Sequence, residues 1–258
     1  MEPNRRTSAA LLALALLAMA ACGGADQATP RWRIEVLDTR PHTQGAFTQG
    51  LDVAGPVLYE GTGKPGQSWV RATDLATGAE LARAELPTPL FGEGVAHAGT
   101  AVWQLTWQDG IAVERDPATL AERRRVRYEG EGWGLCTRDG TLVMSNGSDT
   151  LTFRDPATFD VVGSTRLTAH NEARLNELDC APDGSVYANN WPTNEILRID
   201  PDSGAVLATI DGSGLLSAAE RAGADVLNGI AHLPATDRFL VTGKYWPTVF
   251  EVRFVPEG

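Results

Sequence analysis

Thr48-Gln49-Gly50-Leu51 returns four more times along the chain, as Gly92-Glu93-Gly94-Val95, Gly132-Trp133-Gly134-Leu135, Leu175-Asn176-Glu177-Leu178 and Leu227-Asn228-Gly229-Ile230. Measured at the third residue, successive copies lie 44, 40, 43 and 52 residues apart. Each is followed by a turn, such as Arg138-Asp139-Gly140 or Pro182-Asp183-Gly184, and then by a β-rich run. A fixed period of about 40 to 45 residues with several short strands per unit marks a β-propeller, in which one strand of every blade lines a central channel. The second residue of each copy then places Gln49, Glu93, Trp133, Asn176 and Asn228 in one ring around an axis. That ring is a candidate site.

Working outward, each inner strand is followed by a second (Ala101-Val102-Trp103-Gln104-Leu105 in the second copy) and a third (Gly110-Ile111-Ala112-Val113-Glu114). A hairpin signal then recurs as Asp74-Leu75-Ala76-Thr77-Gly78, Asp116-Pro117-Ala118-Thr119, Asp155-Pro156-Ala157-Thr158 and Asp200-Pro201-Asp202-Ser203-Gly204. Asp supplies side-chain capping there, Pro a fixed φ and Gly a positive one. The fifth copy stops at Val255-Pro256-Glu257-Gly258 without an outer strand, whereas Trp32-Arg33-Ile34-Glu35-Val36-Leu37 precedes the first inner strand and has no blade of its own. The expectation is an all-β, five-bladed β-propeller closed by its N- and C-terminal strands, which pairs the edges an open ring would expose. Longer segments interrupt the period at Thr168 to Leu175 and Gly212 to Val226, the second with a short surface helix over Leu215 to Arg221.

The chain has 258 residues and a formal charge of −11, and its largest basic cluster is Arg123-Arg124-Arg125. An acidic surface of this kind argues against nucleic acid or an anionic membrane face as partner. Arg5 and Arg6 precede an apolar run from Ala9 to Ala21, too short to span a bilayer, which ends at Met19-Ala20-Ala21-Cys22. The pattern resembles a bacterial lipoprotein signal, with Cys22 as the lipidated residue and simple cleavage as the alternative. Residues 1–21 are therefore expected to be a signal peptide of lipoprotein type, 22–31 a tether and 32–258 the propeller catalytic domain. Either route exports the protein, to the periplasm or to a membrane held only through a lipid at Cys22, as an expected monomer. Past that segment only Cys136 and Cys180 remain. Neighbouring blades bring them within reach of a disulfide, but the preferred reading is two buried thiols acting as small hydrophobes. With no CxxC or His-rich cluster, no zinc site is expected.

A second ring falls on the same repeat, at Gly63, Trp107, Gly147, Trp191 and Lys244, after each second strand. Strand alternation places Trp107 and Trp191 past the buried run, whereas Trp103 reads as core. The histidines, His42, His97, His170 and His232, miss both rings and read as turn or surface residues.

Phe47-Thr48-Gln49-Gly50-Leu51, Phe91-Gly92-Glu93-Gly94, Gln104-Leu105-Thr106-Trp107, Glu131-Gly132-Trp133-Gly134-Leu135, Leu175-Asn176-Glu177-Leu178 and Val241-Thr242-Gly243-Lys244-Tyr245-Trp246-Pro247 resemble the plant and bacterial type of glutaminyl-peptide cyclotransferase. The likeness covers roughly residues 33 to 254. It implies a five-bladed propeller, unrelated to the zinc-dependent animal type, that converts an N-terminal glutamine into pyroglutamate and releases ammonia. Asn146-Gly147-Ser148 stands where an Asp-Gly-Ser turn is expected, a change that keeps the turn.

The chemistry explains the residue types. The α-amine, with a pKa of about 7.7 to 8, must lose a proton and attack its own γ-carboxamide, and the leaving nitrogen must gain one. One carboxylate can serve both transfers, and holding the glutamine in a near-attack shape supplies much of the rate. By resemblance and position Glu93 is that carboxylate. Lys244 would polarise the γ-carbonyl or bind the peptide carbonyl, and Gln49 and Asn176 would donate to the oxyanion or fix the side-chain amide. Trp107, Trp133 and Trp191 would wall the pocket and exclude water, with Phe47 packed beside them. No cofactor is required on this reading, and a structural cation in the channel stays open. Two rivals remain: a calcium-dependent lactonase-like hydrolase, which would want more carboxylates in the ring, and a non-catalytic binding propeller, which leaves Trp107, Trp191 and Lys244 unexplained.

Overall fold

The protein is described by a computed structural model covering Met1 and residues 28–258; the remainder of the expected leader, Cys22 and the tether as far as residue 27 lie outside the described residues. After β1 (Arg31–Pro41) come β2 (Thr48–Ala54), β3 (Val57–Thr62), β4 (Trp69–Asp74) and β5 (Glu80–Glu85), one antiparallel sheet in that order. The next sheets repeat it: β6 (Gly92–Ala98), β7 (Ala101–Thr106), β8 (Ile111–Arg115) and β9 (Glu122–Arg127), then β10 (Leu135–Arg138), β11 (Thr141–Met144), β12 (Thr150–Arg154) and β13 (Val161–Arg166). The chain continues through β14 (Leu175–Cys180), β15 (Val186–Asn190), β16 (Glu195–Ile199), β17 (Val206–Asp211), the helical turn α1 (Ala218–Arg221), β18 (Leu227–His232), β19 (Arg238–Gly243) and β20 (Thr248–Pro256). Together with β1 these strands form an eight-stranded sheet of order β14-β15-β16-β17-β1-β20-β19-β18. Its two antiparallel halves meet where Arg31 to Arg33 run parallel to Thr209 to Asp211. The chain is all-β and propeller-like.

Each repeat copy opens an innermost strand, and the glycine at its third position, replaced by Glu177 in the fourth copy, is a matter of space. A Cβ on Gly94 would stand 2.6 Å from the Trp133 carbonyl oxygen, and one on Gly134 would stand 2.1 Å from that of Asn176. Consecutive inner strands therefore touch backbone to backbone, and the Gly94 N–H donates to the Trp133 carbonyl at 2.7 Å. Moving outward, β7 is buried at every position, whereas β9 is almost wholly exposed. Its Arg123, Arg124 and Arg125 pair with Asp116, Glu114 and Glu122, so the chain's basic run is neutralised locally.

The recurrent hairpin forms as expected. The Asp74 carboxylate accepts from the Thr77 N–H at 2.8 Å, Asp116 from Thr119 at 2.9 Å and Asp155 from Thr158 at 3.0 Å. The fifth turn residue needs a positive φ, which Gly78 adopts freely but Leu120 (58°) and Phe159 (68°) also accept, because their side chains are buried in the core.

Three expectations are corrected. Cys136 and Cys180 are joined in a disulfide, not held as free thiols, because β10 and β14 run side by side and bring their Cα atoms to 5.5 Å. The helix is shorter than Leu215 to Arg221: Ser217 caps it in a reciprocal capping box with Glu220, and Leu216 drops into the core. His42 is no surface residue; its imidazole is buried against Glu60, with Nε2 2.8 Å from the carboxylate.

Candidate active site

The starts of the inner strands enclose a cavity of about 540 Å³. All eight residues expected from the sequence to act on substrate line it: Phe47, Gln49, Glu93, Trp107, Trp133, Asn176, Trp191 and Lys244. Asn228, the fifth ring member, stands behind it. Its Nδ2 donates to the Thr48 carbonyl at 3.0 Å and, more weakly, to Gln49 Oε1 at 3.4 Å.

Glu93 is only 4 % exposed. Gln49, oriented by Asn228, donates its Nε2 to Glu93 Oε1 at 2.8 Å. The other oxygen, Oε2, is buried without a hydrogen-bond partner. Burial pushes this carboxyl well above the usual glutamate range; the Lys244 ammonium opposes the shift and the Glu131 charge adds to it. Asn176 Oδ1 is likewise buried without a partner. Two unmade hydrogen bonds at the wall of a cavity are costly in an empty site and become favourable contacts when a polar substrate arrives.

The walls are aromatic, and one acid holds two of them. Glu131 Oε2 accepts from the indole nitrogens of Trp107 at 2.8 Å and Trp133 at 2.9 Å, while Oε1 accepts from Gln108 at 2.8 Å. Burial alone would raise the Glu131 carboxyl, but these hydrogen bonds and the Arg174 charge hold it below its ordinary value. Trp133 meets Trp191 edge to face at 5.7 Å, and the Arg174 guanidinium lies over Trp191 at 4.2 Å. Phe91, seated between Phe47 and Trp107, completes the wall.

The second ring divides in two. A Cβ on Gly63 would stand 2.3 Å from the Phe91 ring, and one on Gly147 2.5 Å from Trp133. These glycines are seats for aromatic rings; Trp107, Trp191 and Lys244 are the members that reach the cavity. Burial pulls the Lys244 ammonium below the usual lysine range, Glu93 and Asp225 oppose that, and Lys64 reinforces it.

Sequence reasoning missed Lys64, Phe91, Glu131, Arg174 and Asp225. Phe91 and Glu131 each stand two residues ahead of a ring position, Glu93 and Trp133, so the period carried a signal for them. Lys64, Arg174 and Asp225 come from connecting segments, where the period gives none. Among the described residues, no group of three or more His, Cys, Asp or Glu side chains is arranged to hold a metal ion.

A propeller-like sheet arrangement whose axial cleft holds a buried, half-partnered glutamate behind tryptophans defines a pocket for a small polar group needing proton transfer. Comparison with known proteins agrees. A family model described as glutamine cyclotransferase matches residues 9–254. The Arabidopsis thaliana glutaminyl-peptide cyclotransferase is 37 % identical over 228 residues, which are 85 % of this chain and 71 % of that protein. The crystal structure of Myxococcus xanthus glutaminyl cyclase superposes with a TM-score of 0.79 at 36 % identity, covering 90 % of this chain and all of that one. The chain belongs to the glutamine cyclotransferase family.

Proposed function

We propose that this chain, a glutaminyl-peptide cyclotransferase, converts the N-terminal glutamine of peptides or proteins into pyroglutamate with release of ammonia, and that Glu93 moves the protons. The observation that carries the mechanism is the unpartnered second oxygen of Glu93, Oε2, buried at the wall of a tryptophan-lined cavity.

An incoming ammonium gives one proton to the Glu93 carboxylate, whose affinity for it burial has raised toward that of the amine. The freed amine attacks the γ-carboxamide carbon and closes the five-membered ring. Glu93 then gives its proton to the departing nitrogen and takes the surplus proton from the ring nitrogen. The tetrahedral adduct collapses to the lactam and expels ammonia, which leaves as ammonium once it takes up the proton that Glu93 still holds. Gln49 fixes the Glu93 carboxyl, Asn176 receives the side-chain amide, Lys244 stabilises the developing oxyanion, and Trp107, Trp133, Trp191 and Phe47 keep water from diverting the reaction to glutamate.

On this reading the enzyme needs no cofactor. The eight-stranded sheet reads as two blades joined through β1, giving five blades closed by the terminal strands. We also infer export, with residues 1–21 as the leader and Cys22 as the anchoring residue. The test is incubation with a Gln-initiated tripeptide amide. The expected outcome is a pyroglutamyl product with equimolar ammonia, unaffected by a chelator. A glutamyl product, or turnover abolished by the chelator, contradicts the reading and returns the calcium-dependent hydrolase.

A further inference from the structure

Lys64 and Lys244 are the only two lysines in the chain, and both line the cavity. Their ammonium nitrogens lie 3.9 and 4.8 Å from the centroid of one ring, that of Phe47. Among the described residues neither joins an ion pair, although arginines such as Arg40, Arg71 and Arg198 do. Two unpaired like charges gathered at one aromatic ring repel each other unless an anion joins them, and Lys64 does add to the burial that depresses the Lys244 ammonium.

The backbone at Lys64 points the same way. Its φ is +89°, a left-handed conformation that suits glycine, and it is held there by bonds to its carbonyl from the Gln67 N–H at 3.0 Å and the Ser68 hydroxyl at 2.7 Å. The turn itself would be served by glycine, so a lysine there calls for a use of its side chain. The neighbouring acids do not supply the missing anion. Glu131 is committed to two indoles and Gln108. Asp225, at the rim, accepts from the Val226 N–H at 2.7 Å and acts on Lys244 only at a distance, without forming an ion pair with it. Glu93 faces the reacting amine. The mouth of a strongly acidic protein therefore presents free cations.

Depth fixes what they meet. Lys244 is 5 % exposed and within electrostatic reach of Glu93, whereas Lys64 is half-buried. A group touching Lys64 lies one step outward from the reacting glutamine. We propose that Lys64 receives, and the Lys244 charge behind it helps attract, a carboxylate carried by the residue after the N-terminal glutamine, so that glutaminyl peptides acidic at that residue, or ending there in a free carboxylate, are the preferred substrates. This rests on the proposed reaction.

The test compares three substrates at low and high salt: Gln-Ala-Ala amide, Gln-Glu-Ala amide and Gln-Ala with a free C-terminus. The readout is the ratio of kcat/KM for each carboxylate-bearing peptide over the neutral amide, so that any general loss in a variant cancels. In the unmodified enzyme at least one ratio is expected on the order of tenfold, shrinking as salt rises, and Lys64→Met brings it close to one. An advantage confined to Gln-Glu-Ala amide assigns the carboxylate to the second side chain; one confined to Gln-Ala assigns it to the substrate's own terminus. Either supports the proposal. Equal rates for all three peptides, or a preference that survives Lys64→Met, overturns it while leaving the cyclotransferase reading intact. That reading fails separately, if the neutral amide is not cyclised.

Discussion

Two glutamates are buried along the channel, and they differ in one respect. Glu93 and Glu177 are 4 % and 0 % exposed, and burial pushes both carboxyls well above the usual range. Glu177 Oε1 accepts from the Leu51 N–H at 3.1 Å and Oε2 from the Ile230 N–H at 2.7 Å, so it ties β14 to β2 and β18. Glu93 is held by one side chain, and its second oxygen is left without a partner at the cavity. A buried acid saturated by backbone amides is a fastener. One with an oxygen in reserve is available for chemistry.

The fastener recurs at the end of the axis away from the cavity. Asp52 on β2 accepts from the His97 N–H of β6 at 2.6 Å, and Asp179 on β14 accepts from the His232 N–H of β18 at 3.0 Å. The Cys136–Cys180 bond joins β10 to β14 at the same level. One end is thus stapled across neighbouring units, while the other keeps polar groups unmatched for a substrate.

Substitutions can break this contrast. The largest effect is expected from Glu93→Gln, which removes the proton carrier and should lower kcat by about 10³-fold with Tm undiminished; near-normal ammonia release from a Gln-initiated peptide would end the assignment. Glu177→Ala should do the reverse. It leaves two buried N–H groups without acceptors, at about 1–3 kcal/mol each, a Tm loss of roughly 5–15 °C by calorimetry with kcat of the folded enzyme retained. Replacing Cys136 and Cys180 together by alanine should cost about 2–4 kcal/mol in denaturant unfolding, again without loss of turnover.

The smallest effect sharpens the contrast through pH. Burial raises Asp179 from 3.8 to about 7 and Asp52 from 3.8 to about 6. Between the ordinary value and the raised one, the folded chain holds a proton that the unfolded chain has released. The stability these groups contribute is therefore complete below the ordinary value and falls as pH rises through the raised one. Asp179→Asn should flatten the decline of Tm between pH ~4 and ~7 by roughly 2–6 °C, with Asp52 preserving the rest of the slope. Parallel profiles for the two proteins would show that Asp179 does not titrate there.

The repeat was legible because inner strands need glycine where they touch, and because the residue before that glycine faces the axis whatever its identity. That rule carried Gln49, Glu93 and Trp133 into one cavity, the period alone carried Asn176, whose copy has Glu177 in place of glycine, and its extension to the second strands carried Trp107, Trp191 and Lys244. What it could not carry is convergence from connecting segments: Lys64 arrives on a tight turn, Arg174 and Asp225 on insertions outside the period. The repeat does separate Glu93, at the ring position, from Glu177, one residue out of phase, but burial does not, because adjacent residues on an inner strand are both enclosed when strands crowd an axis. The disulfide was missed for a related reason. Sequence spacing places Cys136 and Cys180 in neighbouring units, and only the packing of β10 against β14 decides that their side chains meet.

The central claim is that burial raises the proton affinity of Glu93 well above that of a solvated glutamate, so that its carboxylate can take the proton of the incoming ammonium. The direct measurement is a pH titration of the substrate-free enzyme by carboxyl infrared difference spectroscopy, with Glu93→Gln as the subtraction. A protonated carboxyl band that persists above the pH at which an ordinary glutamate ionises, and that disappears on substitution, is the expected result. A Glu93 that ionises together with ordinary, solvated glutamates would contradict it.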